Sequence, residues 1–323
     1  MSLQHLPTIS TAEELVERAL KRSSKIEEKI RSADVRARVT ATRKIQALTD
    51  NLSQPLKKYV HAFPSFDNIH PFDYAIIDLT VGVDQLRHSL GGIDWAANKV
   101  LEIGGEFTAK LIKARKADLA LATMKKGYGR MTSVIRRVAI NLDFLINART
   151  VFRNLPAVNV EEPIAVFAGA PNVGKSSVIR AISTGKPEVR AYPFTTKAVS
   201  LGHIELKYGK MMQVMDTPGL LDRPDSERND IEKQGIAALE HLAPTIVFLT
   251  DCSGTCGYPM ETQMALRDEL RGRYPEYQWI DVQSKSDLEI EEEAKIEEML
   301  EISTENEESL IEFKKQLIQS LTD

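Results

Sequence analysis

Ile164-Ala-Val-Phe-Ala-Gly169-Ala-Pro-Asn-Val-Gly174-Lys175-Ser176-Ser177 is the stretch that decides the fold. Its first five residues are apolar and read as a short buried strand. Gly169 to Ser176 then fits G-x-x-x-x-G-K-[ST], and Val178, Ile179 and Ile182 continue at helical spacing. A strand before and a helix after are the context this motif requires, and they argue against a chance Gly-rich turn. The glycines let backbone N–H groups curl around phosphate oxygens. The helix N-terminus adds positive potential at the same point. Gly169, Ala170, Pro171, Asn172, Val173, Gly174, Lys175, Ser176 and Ser177 therefore form the expected phosphate cradle. Lys175 would reach the β- and γ-phosphates, and Ser176 would ligate Mg²⁺.

Two more motifs lie downstream at the ends of apolar runs. Asp216-Thr-Pro-Gly219 follows Met211–Met215, 41 residues after Lys175. A carboxylate at that strand end can hold magnesium through water, and Gly219 allows a backbone N–H to approach a γ-phosphate. Ser284-Lys285-Ser286-Asp287 follows the run Gln278–Val282. There Asp287 can accept two hydrogen bonds from guanine N1 and N2, which adenine cannot offer. An ATPase is disfavoured for that reason. The stem of Lys285 could cover the ring face. With Thr245–Thr250 as another buried run, short strands alternate with helix-length segments. That pattern predicts a parallel-rich α/β P-loop domain of the Ras-like type over residues 159–323. Glu289–Glu301 reads as a solvated helix face.

The residues preceding Pro156 and Pro163 have a different character. Thr11 with Glu14 suits a capping box before Leu15 and Val16. Val35, Val39, Leu48, Leu52 and Leu56 recur at roughly helical spacing, and Lys57 to Pro71 reads as a connection. Pro71 suits the first turn of a new helix. Gly91-Gly92, Gly104-Gly105 and Gly127 read as interruptions. Met131, Val134, Ile135, Val138, Leu142, Leu145 and Ile146 form one stripe of a single last helix. An antiparallel, all-α bundle is expected over about residues 10–153, within an N-terminal domain 1–158.

Charge divides along the same line. Residues 1–160 carry 25 Lys and Arg against 16 Asp and Glu, and residues 161–323 carry 17 against 30. The net −4 of the chain hides this asymmetry, which suits an acidic partner for the first half. Lys110, Lys113, Arg115, Lys116, Lys125, Lys126, Arg130, Arg136 and Arg137 cluster there, opposed in that segment by Asp118 alone. The start of the chain has no signal-peptide pattern, and no apolar run approaches the roughly 20 residues that span a bilayer. Cys252 and Cys256 are too few for a disulfide framework and read as thiols in a reducing compartment. His61, His70 and His88 lack ligand spacing and read as packed or capping residues. A cytoplasmic protein is expected, with no membrane or DNA partner. A monomer is expected.

These residues resemble the translation-factor-related GTPases, and within them the nucleolar GTP-binding protein 1 family, a branch near the Obg proteins. The matching stretches are residues 171–177, Tyr192-Pro-Phe-Thr-Thr-Lys197, Gly202-His203, Asp216-Thr-Pro-Gly-Leu-Leu-Asp222, Arg228-Asn229 with Ile231-Glu232, and Ile302-Ser-Thr304. Phe66-Asp-Asn-Ile-His-Pro-Phe72 and Gly129-Arg-Met-Thr-Ser-Val-Ile-Arg136 look like that family's N-terminal domain. The long C-terminal extension of eukaryotic members is lacking, so the chain looks like a short, archaeal-type form. The resemblance implies GTP/GDP binding, GTP hydrolysis and a switch in assembly of the large ribosomal subunit or its precursor. It implies contacts of the helical domain with ribosomal RNA, for which Lys113, Lys116, Lys125, Lys126, Arg130, Arg136 and Arg137 are the candidates. Tyr192–Lys197 would be switch I, with Thr196 as second magnesium ligand and γ-phosphate sensor and Thr195 its close competitor. Asp216–Gly219 would start switch II. Ser303 and Thr304 would line the guanine pocket by backbone contacts.

Two departures from the family's relatives bear on chemistry. Ser284 stands where most such GTPases have Asn, so weaker nucleotide binding is expected. Leu220 stands where many signalling GTPases place a water-orienting Gln, so slow intrinsic hydrolysis is expected. Asn172 occupies a position that in related GTPases supports a K⁺ ion, so the resemblance implies stimulation by potassium. The competing reading is a GTP-stabilised scaffold for protein partners with negligible turnover.

Overall fold

The computed structural model describes residues 5–155, 158–190, 199–216, 221–222, 240–242, 245–289 and 299–321. The chain divides into two units, Met1–Asn68 with Val81–Arg153 and Ile69–Thr80 with Asn154–Asp323.

The first unit is built from helices α1 (Ala12–Ser24), α2 (Ala33–Ala62), α4 (Val83–Ile112), α5 (Ala117–Arg137) and α6 (Ala139–Asn154). Thr11 and Glu14 close the expected capping box on α1. Ile45, Leu48, Leu52 and Leu56 of α2 and Leu86, Ile93 and Val100 of α4 are fully buried. Helix α3 (Pro71–Thr80), which groups with the second unit, begins at Pro71.

Three expectations are corrected here. Helix α2 runs through Pro55 and ends at Ala62, so the connection begins at Phe63 and not at Lys57. Helix α4 runs unbroken across Gly91-Gly92 and Gly104-Gly105, and α5 across Gly127. Some of these glycines are places of close helix approach. A Cβ on Gly104 would lie 2.2 Å from Thr49 Oγ1, one on Gly127 would lie 2.7 Å from Ile45 Cδ1, and one on Gly92 would lie 2.8 Å from Asn141 Nδ2. Last, the stripe from Met131 to Ile146 belongs to two helices. Val138 leaves helical geometry, with φ −100° and ψ 17°, and divides α5 from α6.

The second unit carries a seven-stranded sheet in the order β2-β3-β4-β1-β5-β6-β7. Its strands are β1 (Ile164–Ala168), β2 (Glu188–Arg190), β3 (Val199–Glu205), β4 (Met211–Asp216), β5 (Thr245–Asp251), β6 (Gln278–Ser284) and β7 (Leu300–Glu301). The run from β4 to β7 is parallel, while β2 and β3 join antiparallel. Helices α7 (Lys175–Ile182), α8 (Met260–Arg273) and α9 (Glu307–Ser320) accompany the sheet. Phe167, Val247, Val282, Ile179 and Phe313 share one core, with Phe313 edge-on to Phe167 at 6.2 Å. Leu300–Glu301 is strand and not helix; residues 290–298 of the Glu-rich segment lie outside the described residues. Among the described residues no helix is long and apolar enough to cross a membrane.

Candidate functional site: the carboxyl edge of the parallel sheet

Parallel strands β4, β1, β5 and β6 end side by side at Asp216, Ala168, Asp251 and Ser284. Backbone N–H groups and side chains that follow such ends face a common crevice, the usual ligand position in open α/β sheets.

The loop after β1 has the geometry of a phosphate cradle. Gly169, Asn172 and Gly174 all have positive φ, at 133°, 63° and 103°. A Cβ on Gly169 would stand 2.3 Å from the backbone oxygen of Leu249, so only glycine fits beside β5. The N–H of Gly169 donates to the Leu221 carbonyl at 3.0 Å. Gly174 caps α7, whose first residue is Lys175. The buried Lys175 ammonium donates to the carbonyls of Gly169 at 2.7 Å and Ala170 at 2.9 Å. A cation held at the mouth of such a loop suits phosphate.

Ser176 donates its hydroxyl to Asp216 Oδ2. Two hard oxygen groups from α7 and β4 thus meet beside Lys175, which is the donor set that magnesium prefers. The residues present therefore fit both a nucleoside phosphate and its magnesium ion.

On the other side of the loop, Asp287 and Ser303 are brought together. The Ser303 hydroxyl donates to Asp287 Oδ1, and Asp287 stays exposed. Backbone bonds tie the two segments: Ser286 N–H to Ile302 O at 3.1 Å and Ile302 N–H to Gln283 O at 2.8 Å. Ser303 is buried, and its side chain orients the carboxylate, a role beyond the backbone contact that the resemblance implies. Thr304 is exposed next to it.

Ser284 is tied directly to the phosphate loop. Its Oγ lies 2.5 Å from Val173 O and 2.9 Å from Thr250 O. A hydroxyl therefore braces the phosphate loop, so replacing Asn by Ser at this position does not leave the loop unsupported. Lys285 has φ 58° and points its ammonium at Asp251 Oδ2, 2.6 Å away, and Thr255 Oγ1, 2.7 Å away. Burial pushes the Asp251 carboxyl up, but hydrogen bonds from Lys285, Ser253 and Thr255 and the Lys285 charge outweigh it and hold the group below its ordinary range. Sequence reasoning missed Asp251, Thr255 and Gln263. The available signal was an apolar strand ending in a carboxylate, the same pattern that marked Asp216. Burial raises the thiols of Cys252 and Cys256. Thr195, Thr196, Gly219 and Leu220 lie outside the described residues.

Among the candidate RNA-contacting residues, all seven are exposed. Arg130 pairs with Glu106 at 2.9 Å and Arg136 with Glu13 at 2.9 Å, so acidic residues of other helices oppose the cluster besides Asp118. Arg137 lies over the Trp95 ring at 5.7 Å. Lys113, Lys116, Lys125 and Lys126 have no ion pair among the described residues. His70 accepts the Phe72 N–H at the start of α3.

Comparison with known proteins gives a consistent result. The NOG1 N-terminal helical domain matches residues 3–159, and nucleolar GTP-binding protein 1 (NOG1) matches residues 230–287. An uncharacterized protein of Methanocaldococcus jannaschii is 35% identical over 270 residues, which is 82% of this chain and 75% of that one. Nucleolar GTP-binding protein 1 of Encephalitozoon cuniculi is 35% identical over 237 residues, 73% of this chain and 44% of its own length. The chain thus spans under half of that longer relative. A crystal structure described as nucleolar GTP-binding protein 1 of Plasmodium falciparum shares 27% identity, with a TM-score of 0.44 over 52% of this chain and 90% of that one.

Proposed function

The chain belongs to the nucleolar GTP-binding protein 1 family, and from that membership and its own site we propose that it binds GTP and GDP with Mg²⁺ and hydrolyses GTP. The observation that carries this reading is that the Lys175 loop, the Ser176–Asp216 pair and the Asp287–Ser303 pair all follow strand ends at one carboxyl edge of the parallel sheet. The loop binds the phosphates, and Lys175 exchanges its carbonyl partners for phosphate oxygens. Ser176 and Asp216 would hold the magnesium ion, which supplies charge neutralisation on the phosphates when bound. Asp287, oriented by Ser303, accepts the guanine N–H groups and rejects adenine.

The finer reading is a slow nucleotide switch acting in assembly of the large ribosomal subunit. Thr196 and Gly219 would close on the γ-phosphate and release after hydrolysis. The basic helices would contact ribosomal RNA through phosphates and shape. Leu220 supports slow turnover, because an apolar side chain cannot orient the attacking water. Asn172 supports stimulation by K⁺, since it lies on the exposed turn of the cradle.

The test is GTP hydrolysis in KCl and in NaCl, with and without large ribosomal subunits, using Lys175→Ala as the blank. We expect turnover in KCl that subunits increase and that Lys175→Ala abolishes. Equal rates in the two salts would remove the potassium site. Tight GTP binding without turnover under any condition would favour the scaffold reading that Leu220 also permits.

A further inference from the structure

The loop after β5 is organised around one carboxylate. Asp251 is buried, and Gln263 of α8 fixes its backbone from both sides. Gln263 Oε1 accepts the Asp251 N–H at 2.8 Å, while Nε2 donates to the Asp251 carbonyl at 3.1 Å and the Tyr258 carbonyl at 2.9 Å. Asp251 Oδ1 accepts from Ser253 N–H at 3.0 Å and from Ser253 Oγ at 2.5 Å. Asp251 Oδ2 accepts from Cys256 N–H at 2.8 Å, Thr255 Oγ1 at 3.0 Å and Lys285 Nζ at 2.6 Å. Thr255 Oγ1 in turn accepts from Lys285 Nζ at 2.7 Å. Among the described residues, Asp251 and Thr255 are the partners of the Lys285 ammonium.

Lys285 stands between Ser284, which braces the phosphate loop, and Asp287, which faces the base. Its backbone is left-handed, a conformation that a lysine adopts rarely and only where its surroundings hold it there. With both ends fixed, its four-carbon stem cannot swing freely. A rigid apolar stem beside Asp287 is a preset wall for the face of a flat ring.

We propose that Asp251 and Thr255 are positioning residues for nucleotide recognition: by clamping the Lys285 ammonium they hold its stem as one wall of the guanine site before the nucleotide arrives. This rests on the guanine-binding reading above. Preorganisation of this kind raises affinity by removing an ordering cost, without adding a contact to the base edge. It should act equally on GTP and GDP, since it touches neither γ-phosphate nor water. It should act equally on guanine and hypoxanthine nucleotides, since a ring face is common to both. Edge recognition by Asp287 would distinguish those two.

The experiment measures GDP, GTP and IDP affinity, with KM and kcat for GTP, in the full chain and in four variants: Asp251→Asn, Thr255→Val, Lys285→Met and the double variant Asp251→Asn/Lys285→Met. Thr255→Val preserves shape and covers the case in which Asp251→Asn fails to fold. We expect both Asp251→Asn and Thr255→Val to weaken all three nucleotides by one common factor, about tenfold for Asp251→Asn and less for Thr255→Val. KM should rise while kcat at saturation stays within about twofold. The double variant should bind no worse than Lys285→Met alone, because both substitutions break the same interaction. Wild-type affinity in Asp251→Asn and Thr255→Val would overturn the clamp. Additive losses in the double variant would overturn it as well, assigning Asp251 to loop folding. Failure of the unmodified chain to bind GDP would remove the base site itself, and the clamp with it.

Discussion

Gly169 and Asp251 show how much a single residue can decide at this edge of the sheet. Gly169 combines a positive φ with a backbone oxygen 2.3 Å from any Cβ. Both penalties fall on Gly169→Ala, because neither a left-handed alanine nor a clash with a β5 carbonyl can relax by side-chain rotation. The variant should lose GDP binding and about 2 kcal/mol or more of stability, read by titration and by urea denaturation. Asp251 carries a pH signature. Its carboxyl is held below the ordinary range in the folded protein, so the unfolded chain takes up the proton first as pH falls. Its stabilising contribution is complete above the unfolded value of about 3.9 and is lost as pH falls through the lower folded value. The group it faces is the Lys285 ammonium, 2.6 Å away, and the neighbouring Cys256 thiol is raised and stays neutral. The stability gap between wild type and Asp251→Asn should therefore be constant near neutral pH and narrow on acidification below about pH 4. A gap that widened on acidification would contradict the sign of the shift.

At the scale of elements, the helical unit turns on glycines that look like helix breakers. A glycine in a helix interior costs roughly 0.5–1 kcal/mol against alanine when nothing is packed on it. Gly104 is packed on by Thr49 of α2, a stiff β-branched side chain whose hydroxyl is already bonded to Ile45 O. Gly105, its neighbour, has nothing within 4 Å. Gly104→Ala should lower the unfolding free energy by roughly 1–3 kcal/mol, because α2 and α4 must separate or Thr49 must move. Gly105→Ala should raise it by about 0.5–1 kcal/mol. Thermal melts of the two variants therefore move in opposite directions, and parallel shifts would refute this account of the α2–α4 packing. Local sequence cannot make the distinction, since both residues lie in the same dipeptide.

Across the whole molecule, charge is partitioned between the halves of the chain, and the RNA reading depends on it. Lys113, Lys116, Lys125 and Lys126 are the exposed lysines on which we place the phosphate contacts. Replacing Lys125 and Lys126 by Glu should weaken binding to ribosomal RNA. It should also flatten the dependence of log affinity on log salt by about 0.7 to 0.9 for each phosphate that is no longer neutralised. Filter binding across a salt series checks both, and an unchanged slope would place the RNA surface elsewhere. Arg130 and Arg136 should matter less, because Glu106 and Glu13 already compensate them. The sequence by itself marked strands β1, β4, β5 and β6, the Gly-rich loop after β1, and Ser176, Asp216 and Asp287, which the fold gathers at the carboxyl edge of the sheet. Each is a local pattern, an apolar run with its turn residues and a charged residue at the strand end. It also marked Thr11 and Pro71 as helix starts, for the same local reason. Only the tertiary structure decided that Gly104 and Gly127 sit inside helices, that Ser284 braces the phosphate loop, and that Asp251 grips Lys285. Each of those depends on an atom supplied by a segment distant in sequence: Thr49 for Gly104, Ile45 for Gly127, Val173 for Ser284 and Asp251 for Lys285. No spacing within one segment encodes which distant partner will arrive.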